Sequence, residues 1–563
     1  MSPTATLTEA RTSLLLMGDE AVAQGAIDAG LSAAYAYPGT PSTEAFDYLL
    51  AHAGADGIVA SWCANEKTAY EQALGVSMVG RRALVVMKHV GLNVAADPFI
   101  NSAIVSIHGG LVVAVADDPG MHSSQNEQDT RFYADFARVI CLEPADQQEA
   151  YDMTREAFEL SERFGIPVVV RLVTRLAHSR ASVDIRPPRP QKPLDKTADP
   201  NSWILLPANA RKLWRQLLDT QVELEGYTEN SAYNPVSYSP SSHSPNSRNN
   251  PSPLENNALG VITTGIARGY YRENLPELES RPPHLHVGAY PLPVGKIRAL
   301  ASRCDALLVI EEGYPFLERR LRGILPTPIE IRGKESLHLP LDGELSPDLV
   351  RAALGLPTRP RLEAARESLP ARPPQLCRGC PHMDSFDALR QALNGYECSI
   401  VSADIGCYTL GALPPYQAIE SCVCMGASIG MAKGAADAGL HPVVSVIGDS
   451  TFLHSGVTPL MDAIAADTDM TLLILDNGTV GMTGGQETIL RSSQLEPLIL
   501  GLGVAPEHCH VLEAHPRKVD ALAAALRQEL EHRGLSVVIA VRECIEHARM
   551  RTSAARKERR AAS

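Results

Sequence analysis

The chain has 563 residues, too many for one hydrophobic core, and ordinary domain sizes divide it into three or four. Its formal net charge of −14 argues against the basic face that a nucleic-acid partner demands, and no apolar run reaches the length of about 18 residues that a membrane span requires. Hydrophobic residues at 45% and aromatics at only 5%, with abundant Ala, Gly and Val, suit α/β layers whose helices lie close on buried strands.

The opening MSPTATLTEARTS has no positive stretch followed by an apolar core, so it does not read as a secretory signal, and a cytoplasmic location is expected. Residues 12 to about 185 read as alternating helices and buried strands. A helix is predicted over 19–29 and a strand over 33–37, broken by Pro38-Gly39. The runs ALVVM (83–87), LVVAVA (111–116) and PVVVRL (167–172) are apolar throughout, as strands of a parallel sheet covered on both faces must be.

A linker is expected over 186–257. It opens on RPPRPQKP, passes through a short helix near 208–220, and continues from Gly226 as a Ser-, Pro- and Asn-rich insertion expected to stay disordered. A second α/β unit spans 258–356, a Pro-rich joint 357–374, and a third unit 375–546. The last stretch, 547–563, reads as a basic, solvated tail.

The third unit holds the most specific local signal. PVVSVI (442–447) is a buried strand ending in Gly448-Asp449-Ser450, a helix follows over 456–466, and a strand over 470–475 ends in Asp476-Asn477-Gly478-Thr479. Both polar tips then fall at the carboxyl ends of adjacent strands, where open α/β sheets bind ligands. Asp449 offers a carboxylate, Asn477 an amide oxygen and Thr479 a backbone carbonyl, the hard oxygen donors that Mg²⁺ shares with phosphates. The spacing matches the thiamine diphosphate motif written GDG…NN, with Ser450 in place of its last Gly and Asp476 in place of its first Asn. Just upstream, Gly426, Gly430 and Gly434 share one helical face, which reads as close helix packing; the likeness to thiamine enzymes implies that the start of this helix also lies beside the cofactor. Bound thiamine diphosphate also needs a carboxylate at its pyrimidine N1′ from another domain. Glu66, in WCANEKTAYEQALG, is the candidate for that role; an acid favoured at a helix N-terminus is the alternative.

Four longer stretches in the first unit carry a family resemblance: YPGTPSTE (37–44), NEKTAYEQALG (65–75), MKHVGLNVAADP (87–98) and DDPGMHSSQNEQDTR (117–131). Four more lie in the last: CRGCPH (377–382), DIGCYTLGALPPY (404–416), GDSTFLHSG (448–456) and LDNGTVGMTGGQ (475–486). Together they resemble the α subunit of indolepyruvate:ferredoxin oxidoreductase. The resemblance implies two thiamine diphosphate-binding fold domains, a pyrimidine type over 1–185 and a diphosphate type over 375–546. A transketolase C-terminal-like α/β domain lies between them. It further implies oxidative decarboxylation of an aryl-2-oxoacid, single electrons passing to iron–sulfur clusters, and coenzyme A taking the acyl group. A smaller β subunit (of γ type), ferredoxin or another acceptor, and a dimer of heterodimers would complete the assembly. Thr40 and the Lys88-His89 loop would face substrate and pyrimidine. His89 would move protons or orient the carboxylate, unless it is a hydrogen-bonded structural histidine.

The family also usually carries a C-terminal ferredoxin-like domain, and no C-x₂-C-x₂-C-x₃-C-P run occurs in this sequence. In the wider family one [4Fe–4S] cluster uses a CxxC pair, a third Cys further on and a fourth near the domain end. Cys377, Cys380, Cys407 and Cys544 fit that layout; a zinc site and free thiols are the alternatives. Of the eleven cysteines, Cys63, Cys141, Cys304, Cys398 and Cys509 are expected to be buried and inert, and Cys422 and Cys424 to pack at the start of the Gly-rich helix. A non-oxidative thiamine decarboxylase or carboligase is the competing reading of the whole chain.

Overall fold

The computed structural model describes residues 12–55, 57–196, 199–238, 257–325, 329–360 and 374–561. The chain divides into two compact units, 1–362 and 363–563.

In the first unit the apolar runs form the middle of a seven-stranded sheet. Its order is Ala289–Tyr290, Ile140–Leu142, Val168–Val173, Leu111–Asp117, Ala83–Lys88, Ala33–Ala36 and Val59–Trp62. All neighbours run parallel except the first pair. Every residue of the strands at 83–88, 111–117 and 168–173 is buried, so none of them needs a polar face. Small residues set the layer spacing: a Cβ on Gly25, in the helix Gly18–Asp28, would stand 2.6 Å from the Tyr151 carbonyl of the helix Gln147–Phe164.

A five-stranded sheet follows, ordered Glu330–Arg332, Cys304–Ile310, Asn257–Thr264, His284–Val287 and Val236–Ser237, parallel but for the last pair. Buried charges join the two sheets. Arg131 donates to Asp129 and to Glu311 Oε2 at 2.8 Å, and Arg171 donates to Asp117 Oδ2 at 2.6 Å and Glu143 Oε1 at 2.5 Å.

The 226–257 segment departs from expectation. The helix runs over Pro207–Asn230, and Asn234 beyond it is fully buried. Its amide donates to the Thr228 and Ala289 carbonyls and accepts from the Gly288 and Ala289 N–H groups, so a polar residue orders the turn by satisfying four backbone groups. Residues 239–256 of the expected insertion lie outside the described residues. The basic tail is likewise helical over Ile545–Ala561, a stretch rich in the strong helix formers Ala, Arg, Lys and Glu.

The second unit is built on a six-stranded, wholly parallel sheet. Its order is Ser421–Cys422, Ile400–Ala403, Val443–Gly448, Met470–Asp476, Leu535–Val541 and Cys509–Glu513. All eleven cysteines are free. Cys63, Cys141 and Cys509 are buried as expected, but Cys398 is exposed and Cys304 only half-buried. Cys422 and Cys424 are exposed rather than packed, because they leave an edge strand before the Gly-rich helix begins at Ala427. Among the described residues no helix is long and apolar enough to cross a membrane.

Candidate active site

In the second unit Gly448 pairs with Leu475 across the two central strands, which brings Asp449 and Asp476-Asn477 side by side at their carboxyl ends. Asp449 Oδ2 accepts from the Gly478 N–H at 3.0 Å, and Asn477 Oδ1 from the Thr479 N–H at 3.0 Å. Gly478 takes a φ of 68°, which lets the loop turn its amide back onto Asp449. Burial, reinforced by the neighbouring Asp476 carboxylate, holds the Asp449 carboxyl well above the usual range. Asp476 accepts from the Gly478 N–H and the Ser492 hydroxyl on Oδ1, while its Oδ2 is buried with no hydrogen-bond partner. Two adjoining buried carboxyls with an unsatisfied oxygen make a donor set that a divalent cation would relieve, so these residues fit a magnesium–diphosphate group.

The Gly-rich helix, Ala427–Asp437, begins at Gly426 with a φ of 82°. A Cβ there would stand 2.6 Å from the Ser455 side chain, in a π-helical turn at Phe452–Gly456. The fully buried Asp404 anchors this start, accepting from Ser428 Oγ at 2.6 Å and from the Tyr408 hydroxyl. Burial pushes its carboxyl up to about 6. The Tyr408 ring in turn covers Gly448, where a Cβ would meet Cε1 at 2.7 Å. Asp404 and Tyr408 belong to a quoted motif, yet nothing local to them signals this role.

Cys377, Cys380, Cys407 and Cys544 come together. Burial and the three other thiols push Cys407 up to about 12, and burial with Cys377 and Cys544 pushes Cys380 up to about 11. A Cβ on Gly481 would lie 3.4 Å from Cys407 Sγ and 3.9 Å from Cys544 Sγ. The group is tied to the cofactor loop: the Cys544 N–H donates to the Asn477 carbonyl at 3.1 Å, and Asn477 Nδ2 donates to His382 Nε2 at 3.4 Å. Burial holds His382 down at about 4, so the ring is neutral, and the Asn477 amide donating to it makes Nε2 the acceptor. Among the described residues no three His, Cys, Asp or Glu side chains are set to hold one metal ion.

In the first unit Glu66 is buried as the first residue of the helix Glu66–Met78, whose N-cap Asn65 accepts from the Thr68 N–H at 2.8 Å. Gly91 faces it: a Cβ there would stand 2.7 Å from Glu66 Oε1. His89 is buried, with Nε2 3.1 Å from the Asn126 carbonyl. The Thr40 carbonyl accepts from Ser123 Oγ at 3.0 Å, and Lys88 Nζ donates to the Ser123 carbonyl at 3.0 Å. The fold therefore gathers Glu66, Lys88, His89 and Thr40 at one end of the first unit's sheet. In the second unit the Ser450 backbone N–H bonds back to the Asp449 carboxylate.

Known proteins give this geometry its context. The chain is 37% identical over 559 residues to indolepyruvate oxidoreductase subunit IorA of Archaeoglobus fulgidus, covering 94% of this chain and 86% of that one. The IorA subunit of Methanothermobacter thermautotrophicus is also 37% identical, over 94% of this chain and 87% of its own. This chain belongs to the indolepyruvate oxidoreductase IorA family. Two family models match within it. "Pyruvate flavodoxin/ferredoxin oxidoreductase, thiamine diP-bdg" covers residues 24–209, the part with Glu66, and "Thiamine pyrophosphate enzyme, C-terminal TPP binding domain" covers 404–540, the part with Asp449 and Asn477. A solved 2-oxoglutarate:ferredoxin oxidoreductase from Magnetococcus marinus, with 2-oxoglutarate, coenzyme A and succinyl-CoA bound, is 18% identical with a TM-score of 0.49, over 61% of this chain and 66% of that one.

Proposed function

We propose that this member of the IorA family is the large catalytic subunit of a thiamine diphosphate-dependent oxidoreductase that decarboxylates aryl-2-oxoacids such as indolepyruvate. The reading rests above all on the buried Asp449–Asp476 pair beside Asn477, a donor set that makes sense around a cation and a diphosphate. Asp449 Oδ, Asn477 Oδ1 and the Thr479 carbonyl are assigned to Mg²⁺, and the amides from Gly448 to Ser450 with Gly426 to the diphosphate. Glu66 is assigned to the pyrimidine N1′. When bound, thiamine diphosphate supplies a nucleophilic carbon able to add to a keto group and hold the electrons freed as CO₂ leaves.

Around it the chain's own residues hold and exclude. Glu66 keeps its carboxylate at a fixed place because Asn65 caps its helix and Gly91 leaves it room. Thr40 and His89, at the same end of the sheet, are assigned to orient the substrate. The four cysteines are assigned to one [4Fe–4S] cluster, since their mutual nearness and their ties to Asn477 suit one-electron transfer away from the cofactor. The same observation favours the oxidative reading over a non-oxidative decarboxylase or carboligase, which has no use for such a group. Coenzyme A as acyl acceptor, a smaller β subunit, ferredoxin as electron acceptor and assembly as a dimer of heterodimers are proposed from the family resemblance. Eleven free thiols suit a reducing cytoplasm. Anaerobic purification with iron, sulfide and thiamine assays tests the reading: all three should copurify, and iron-free protein that still releases CO₂ from arylpyruvates would overturn the oxidative part.

A further inference from the structure

We propose that Lys88 binds the carboxylate of the 2-oxoacid through its ammonium group. The assignment rests on the reading of the chain as a 2-oxoacid enzyme and adds the group that recognises the acid.

Lys88 closes the strand Ala83–Lys88 at its carboxyl end and is only 8% exposed. Its stem runs against Gly39, where a Cβ would meet Cδ at 3.0 Å and Cγ at 3.1 Å; the missing side chain opens the channel for the lysine. An ammonium has three N–H donors and costs several kcal/mol to desolvate unless they are used. One of them reaches the Ser123 carbonyl at 3.0 Å. Among the described residues Lys88 makes no other hydrogen bond and no ion pair.

The nearby acids do not supply the missing partner. Asp118 attracts Lys88, but its own oxygens are taken by the Ser123 N–H at 2.8 Å, Ser124 Oγ at 2.7 Å and Thr174 Oγ1 at 2.7 Å. Glu66 acts on Lys88 from a distance and is committed to the cofactor in the reading above. Burial holds the amine down at about 8, so it stays mostly charged near neutrality and gains from an incoming anion. The ammonium is also within reach of the surface, because Ser123 is exposed and Thr40, bonded to it, is half-exposed.

His89 is the weaker choice for the same task. The Asn126 carbonyl can only accept, so Nε2 donates to it, and the buried Nδ1 makes no hydrogen bond. That leaves one ring nitrogen of His89 to meet a ligand, against two unused N–H donors on Lys88. An arylpyruvate carries one charge, and Lys88 is a buried cation beside Ser123 with two donors to spare.

The test uses the full chain with its smaller subunit, comparing Lys88→Met and Lys88→Arg with the unaltered protein. Readouts are thiamine and magnesium content, kcat and KM for indolepyruvate, and calorimetric binding of indole-3-propanoate and the uncharged indole-3-propanamide. Lys88→Met should keep its cofactor and raise KM and the propanoate Kd by about 10- to 100-fold, the worth of a charged hydrogen bond, while propanamide binding stays unchanged. Lys88→Arg should recover much of the loss. A Lys88→Met protein with KM and propanoate affinity within about twofold of the original overturns the assignment, as does an equal loss for propanoate and propanamide. An unaltered protein that binds no propanoate and turns over no 2-oxoacid would instead overturn the functional reading beneath it.

Discussion

The Glu66 carboxylate occupies the space that a side chain on Gly91 would claim: a Cβ at Gly91 would stand 2.7 Å from Oε1 and 2.7 Å from Cγ. Gly91 lies inside the short helix His89–Val94, so its value is this missing atom and not a special backbone angle. Gly91→Ala should therefore displace Glu66 while leaving the second unit alone. The expected outcome is a turnover loss of about 100-fold, the scale of a misplacement near 1 Å, with thiamine content unchanged. Glu66→Gln should show the same split, because its amide keeps the volume and loses the acid. Cofactor content measured beside kcat checks both.

Asp449→Ala should behave in the opposite way. It removes the carboxylate on which the Gly478 amide closes, and with it the proposed metal ligand. Magnesium-dependent retention of thiamine diphosphate should fall to background in equilibrium dialysis, while the helices and sheet persist by circular dichroism. A variant that still copurifies with cofactor would contradict the cradle.

These two sites were legible to different degrees. Asp449, Asn477 and Thr479 could be placed from local pattern alone, because strand-end positions follow from two apolar runs and the loops between them. Glu66 could be named as a candidate from the cofactor's need for a carboxylate, but an acid at a helix start is ordinary, and only the family resemblance set it above that alternative. Asp476 was visible as a departure from the motif, but its burial against Asp449 was not. Gly91, Asp404, Tyr408 and His382 matter through approaches across the fold, such as Asn477 to His382 or Tyr408 to Gly448, which no local spacing encodes. The Ser- and Asn-rich stretch after Gly226 misled because polarity usually marks solvent, whereas Asn234 spends its amide inside on four backbone groups.

Asp404 predicts a pH dependence. Its carboxyl is raised in the folded chain from an ordinary 3.8 to about 6 by burial, so the protonated form favours folding. Its contribution is fully present below the unfolded value and is lost as pH rises through about 6. The loss is at most about 3 kcal/mol. Asp404→Asn should flatten the change in unfolding midpoint between about pH 4 and 7 relative to the unaltered chain. An unchanged slope in urea unfolding across that range would show that Asp404 ionises freely.

Arg131 makes the strongest demand on stability. Its side chain is fully buried among Asp129, Glu143 and Glu311. Arg131→Met would leave Glu311 without a cation and Asp129 and Glu143 with Arg171 alone, and should cost about 3–5 kcal/mol by denaturant unfolding. A loss under about 1 kcal/mol would mean that the acids are protonated without it.

The four cysteines separate from the exposed pair by substitution. Cys407→Ala should lose most bound iron and sulfide, whereas Cys422→Ala, whose thiol is exposed outside the group, should keep both. Equal iron in the two variants, measured anaerobically, would remove the cluster assignment.

The central claim is that decarboxylation here is oxidative, and the most direct measurement counts electrons against carbon dioxide. The anaerobically purified chain with its smaller subunit is given indolepyruvate, coenzyme A and a one-electron dye, and both products are quantified. The account predicts two electrons delivered to the dye for each CO₂ released, with both lost in Glu66→Gln. Release of CO₂ with no reduction of the dye would contradict it.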